Sequence, residues 1–81
     1  MNNQSLRWLN EEGAALWRGY YRGDEVAAVW SGELAGNQIS EWHWSVHFSQ
    51  LSGTVRGTGS DEFDLYIAQN EASQAFFTQA I

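Results

Sequence analysis

Trp42-His43-Trp44-Ser45-Val46-His47-Phe48 alternates large apolar with polar side chains without a break. Period two is the pattern of a strand that lays one face on a core and shows the other to solvent. The alternation turns Trp42, Trp44, Val46 and Phe48 inward and His43, Ser45 and His47 outward.

Upstream, Ala15 to Tyr21 and Glu25 to Ser31 are partly aromatic or β-branched, and Arg22-Gly23-Asp24 between them is a tight-turn sequence. They predict a hairpin. Its inward set is Ala15, Trp17, Gly19 and Tyr21 on one arm and Val26, Ala28 and Trp30 on the other. A shorter strand around Leu6 to Leu9 precedes it, turning at Asn10 to Gly13, and residues 32–40 form a loop before the Trp-rich strand.

Downstream, Gln50 to Gly53 turns the chain into a strand near Thr54 to Gly57, followed by a Gly-rich loop from Thr58 to Glu62. Phe63 to Ala68 carries two signals. Phe63, Leu65 and Ile67 alternate as a strand, while Ser60 followed by Asp61 and Glu62 resembles a helix start. The strand reading is preferred, with a helix opening at Asn70 and carrying Ala72, Ala75, Phe76 and Ala80 on one side. A helix begun at Asp61 would leave Phe63 and Ile67 away from the Leu65–Ala72–Phe76 stripe. The expected fold is α+β: a single domain over residues 1–81, one antiparallel sheet of about five or six strands packed with one C-terminal helix.

The 81 residues have room for one core, and chains this short bury only about 60% of their unfolded surface. Five Trp, four Phe and three Tyr supply the core material and argue for folding over disorder. Without Cys there is neither a disulfide framework nor a thiolate metal site. The polar start, Met1 to Ser5, lacks the basic-then-apolar order of a signal peptide, and no apolar run approaches the roughly 20 residues that span a bilayer. The expected location is the cytoplasm, without membrane contact.

Catalytic and metal-binding patterns are poorly matched. His43 and His47 have the spacing of a helical zinc-protease motif, but Trp44 follows the first His where that motif has Glu. On a strand, four residues separate the rings by about 13 Å, too far to share one ion. No Gly-x-Ser-x-Gly elbow occurs, and the carboxylates of Glu11–Glu12 and Asp61–Glu62–Asp64 fall in polar turns where water screens them. Gly57-Thr58-Gly59 lacks the Lys of a Walker loop and reads as a hairpin loop. Arg22-Gly23-Asp24 matches the tripeptide read by cell-adhesion receptors and is explained by turn chemistry. Neither an enzyme nor a bound cofactor or metal is expected.

Charge is more informative. Ten acidic residues against four Arg give a formal charge of −6, which repels a phosphate backbone and favours a basic partner. The acids Asp24, Glu25, Glu33, Asp61, Glu62 and Asp64 are the expected contacts to a protein with a basic surface. A second reading uses the outward sheet face, where the alternation collects Arg7, Arg18, Arg56, His43 and His47 around Tyr20. Aromatic and basic groups on a sheet can stack and hold bases, so Arg18, Tyr20, His43, His47 and Arg56 define an alternative nucleic-acid-binding or regulatory surface. A third reading is a small structural subunit whose open sheet edge or exposed apolar residues pair with a second copy as a homodimer.

An acidic chain with a Trp- and Tyr-rich antiparallel sheet, no Cys and a small Ala-rich helix at one end resembles the compact proteins of phages and mobile elements, anti-CRISPR inhibitors among them. The resemblance covers the general layout and carries no binding residue over. It implies a stoichiometric inhibitor in the host cytoplasm that occupies a basic nucleic-acid groove on a CRISPR effector subunit, its carboxylates standing in for phosphates.

Overall fold

The computed structural model describes residues 5–12, 15–33, 40–56 and 61–79, without the side chains of 32, 33, 40, 56 and 61. The expectations for residues 34–39, the Gly57–Ser60 loop and Ala80 lie outside the described residues. Five strands, β1 (Arg7–Asn10), β2 (Leu16–Tyr21), β3 (Asp24–Glu33), β4 (Ser40–Val46) and β5 (Ser52–Arg56), form one antiparallel sheet in sequence order. The helix α1 (Asp61–Gln79) packs across one face of it. The fold is α+β.

Registers follow from the turns. Arg22 and Gly23 both have positive φ, 54° and 86°, the pair of left-handed residues that a two-residue hairpin turn of matching twist requires. Between Gly19 and Tyr20 the pairing shifts: Gly19 faces Ala27 and Tyr20 faces Glu25, so Val26 is the extra residue of a bulge. This bulge corrects the inward set expected for the second arm. Val26 packs against the core as expected, but beyond it Ala27 and Val29 are fully buried on the helix side, and Trp30 falls on the open face. A one-residue offset exchanges the two faces of a strand, and only the pairing partner reveals it.

On β4 the alternation holds through Val46: Trp42, Trp44 and Val46 are buried. It stops there. The chain turns after Val46, and Phe48, expected inward, is fully exposed with φ 61°.

The second correction concerns Phe63–Ala68, which is helix and not strand. Asp64, Ala68 and Ala72 recur at every fourth position and are the buried residues of α1, with Leu65, Ile67, Ala75 and Phe76 packed at their flanks. A continuous helix adds one hydrogen bond per residue after a single nucleation step, so extending it back to Asp61 is favoured once Ala68 has a surface to pack on. Phe63 is left more than half exposed as a consequence. Small residues on the helix match large ones on the sheet: Ala68 and Ala72 let α1 approach Trp42, Trp44 and Val46 closely.

Trp44 links both layers. Its indole lies over Gly53 on the neighbouring strand, where a Cβ would come within 2.6 Å of Nε1, and Nε1 donates to Glu71 Oε1 of α1 at 3.0 Å. Glycine at 53 is therefore a requirement of close approach. Trp44→Ala should destabilise the domain by about 3–5 kcal/mol, the range for truncating a buried large aromatic, while His43→Ala on the opposite face should cost under about 1 kcal/mol. Denaturant melts check this, and equal effects would contradict the facing of β4.

Candidate functional surfaces

The open face of the sheet carries Arg7, Leu9, Arg18, Tyr20, Glu25, Trp30, Glu41, His43 and Thr54 in cross-strand rows, and the backbone of Arg56 stands opposite Glu41. The alternative binding set thus shares one face, as the alternation implies. Three of its members lie against acids. Arg18 bridges Glu11 (Nε to Oε2, 3.0 Å) and Glu25 (Nη1 to Oε1, 3.1 Å). His47 Nε2 lies 2.6 Å from Glu25 Oε2, and His43 Nε2 is 3.7 Å from Glu41 Oε2.

Glu25 is the centre of this network. Partial burial pushes its pKa up, but hydrogen bonds from His47 and Arg18 and then their charges outweigh it, holding the carboxyl below its ordinary value of 4.5. Arg18 is raised in turn, chiefly by hydrogen bonds to Glu11 and then Glu25.

The remaining groove-like feature of this face is small. Trp30 stacks on His43 with ring centroids 5.8 Å apart, and His43 Nδ1 lies 3.1 Å from Thr54 Oγ1. Together with Gly53 they border a hollow of about 210 Å³, below the size of usual ligand pockets. Trp30 was absent from the alternative set because the bulge at Val26 is silent in the sequence. Among the described residues, no group of three or more His, Asp and Glu is placed to hold a metal ion, and no helix is long and apolar enough to cross a membrane.

The acids expected to bind a partner are not brought together. In an up-and-down sheet alternate connections lie at opposite ends. The β2–β3 turn with Asp24 and Glu25 lies at the end where β4 also finishes; α1 ends there too, with Phe76 and Phe77 packed on Tyr21. Glu33 and the start of α1, with Asp61, Glu62 and Asp64, belong to the other end, five residues after β5 finishes at Arg56. Asp64 is 1% exposed and so cannot meet a partner.

Charge divides accordingly. One end, the acidic end, holds Glu11, Glu12, Glu33, Glu41, Asp61, Glu62 and Asp64, with Arg56 as its arginine. The opposite end holds Arg7 and Arg22 with Asp24 and Glu25, Arg18 between the two ends bridges Glu11 and Glu25, and Glu71 at mid-helix is tied to Trp44. Glu12 and Glu62 are exposed, and Glu11 is half exposed beside Arg18. The signal was available: Glu11–Glu12 sit in the β1–β2 turn, which any antiparallel meander places at the same end as the exit of β3.

Fold and surface together define an acidic α+β domain whose net charge collects at one end of a five-stranded sheet. Comparison with protein-family models, curated proteins and solved structures finds no match.

Because the folded Glu25 binds its proton less readily than the unfolded one, its contribution to stability is present above pH 4.5 and is lost as pH falls through the lowered value. Glu25→Gln should flatten the acid limb of the stability–pH curve and cost no more than about 1 kcal/mol at neutral pH. Urea melts across the acid range read this directly. An unchanged acid limb would contradict the pairing.

Proposed function

We propose that this domain is a protein-binding module that docks its acidic end on a basic surface of a partner. The observation that carries the reading is the collection of Glu12, Glu33, Glu41, Asp61 and Glu62 at one end of the sheet against Arg56, with Glu11 beside them paired to Arg18. A field of one sign at the tip of a small body orients the encounter and speeds it, most strongly at low salt. The general layout favours one partner class, a nucleic-acid groove on a CRISPR effector subunit, where the carboxylates take the place of phosphates and binding blocks the groove.

The ion pairs on the open face count against the nucleic-acid-binding alternative. A phosphate backbone is attracted by cations free to release counterions, and Arg18 and His47 are already engaged with Glu11 and Glu25. Stacking on Trp30 and His43 alone would have to overcome the repulsion of a chain carrying −6.

The test is a titration of purified CRISPR effector complexes with the protein while DNA binding is read. A stoichiometric loss of DNA binding is expected. Replacing Glu12 and Glu62 by Gln should slow its onset several-fold, and Asp24→Asn at the opposite end should leave it unchanged. Effectors that keep their DNA at all ratios would sink the partner class. Direct, salt-sensitive binding of the protein to an oligonucleotide, lost in Arg18→Ala, would transfer the function to the open face.

A further inference from the structure

At the end opposite the acids, the β4–β5 turn presents Phe48 wholly to solvent, in a left-handed conformation that suits Gly or Asn better than an aromatic residue. The turn is not loose. Val46 N–H donates to Leu51 O at 2.9 Å, Ser49 Oγ to Val46 O at 3.2 Å, Leu51 N–H to Ser49 Oγ at 3.0 Å, and His47 N–H to Val26 O at 2.8 Å. A large apolar side chain is therefore held out on a hydrogen-bonded turn, edge to face with the His47 ring, at the expense of backbone strain.

Three residues further on, Leu51 forms one wall of a largely apolar groove of about 500 Å³ shared with Trp44, Gln74, Ala75, Thr78 and Gln79, with Glu71 tied to Trp44 at its lip. Knob and hole thus lie at the same end of one chain, Phe48 against the His47 ring and the groove on the helix side. A knob and a hole on one end surface suit a closed two-fold interface, in which each copy gives its knob and receives the other's.

Electrostatics permits this pairing only at this end. Arg22, over the Tyr21 ring, and Asp24 belong to the same turn, and Glu25 is held by Arg18 and His47, so the local charge nearly balances. Two copies joined here keep their acidic ends apart.

We propose that the protein forms a two-fold dimer in which Phe48 of each copy fills the groove between Leu51 and α1 of the other. This interface leaves the acidic end free for the partner, and it stands or falls without that partner.

Sedimentation of the purified protein over a wide concentration range is the test. The wild type should pass from monomer to dimer. Phe48→Asn should weaken the dimer at least ~30-fold, the loss typical of removing a hot-spot aromatic, while its melting temperature stays at or above that of the wild-type monomer because Asn suits the left-handed site. Thr78→Arg, an exposed substitution at the groove, should weaken it similarly. Each variant lacks one half of the contact, so mixing them restores one intact knob and hole, and the mixture should associate more strongly than either alone. A wild type that stays monomeric throughout, which would leave Phe48 to a different protein, overturns the proposal. So does a Phe48→Asn variant that still dimerises or melts well below the wild type at concentrations where both are monomeric, or a mixture that shows no rescue.

Discussion

The contact between the Trp44 indole and α1 is the constraint on which the other features depend. Trp44 crosses Gly53, reaches Glu71 and lies beside the Ala68–Ala72 stripe, so it fixes the distance of the helix from the sheet and its alignment along it. Large groups on the sheet and small ones on the helix make a dense core from few residues. A domain of this size has little other apolar area to draw on.

The direction of the helix follows from that contact, and the charge distribution follows from the direction. Because α1 runs from the exit of β5 towards Tyr21 and Leu51, its acidic first turn joins the β1–β2 turn and the exit of β3. Its C-terminal half forms the groove beside Phe48. One packing decision thus separates a charged end from an apolar end. The open sheet face between them is cross-linked by Glu25, whose pairing with Arg18 and His47 engages two of the groups that a nucleic acid would contact there.

Much of the fold is legible in residues 42–46, because a half-buried strand imposes period two on its own sequence. The hairpin around Arg22-Gly23 is legible for a similar local reason, since two positive-φ positions demand turn residues. What the sequence hides is non-local. The bulge at Val26 exists only in the pairing of β2 with β3, yet it moves Trp30 to the other face. Phe63–Ala68 has a strand-like alternation that loses to helix because Ala68 and Ala72 find a Trp-lined surface to pack on, which no window of sequence contains. Phe48 continues the β4 pattern by composition, but the turn begins before it. Of the acids singled out for binding, Glu62 is exposed at the acidic end, Asp64 is buried and Glu25 is engaged by Arg18 and His47. Glu11 and Glu12 join Glu62 at that end, since only topology decides which turns share an end.

The separation of charge is the central claim, and residue-resolved NMR with a short Arg-rich peptide as probe tests it most directly. At low salt the peptide should shift amide signals of Glu11, Glu12 and Glu62 and leave those of Arg22 to Glu25 in place, with the shifts fading as salt rises. Shifts centred on Asp24 and Glu25, or spread evenly over both ends, would contradict the account.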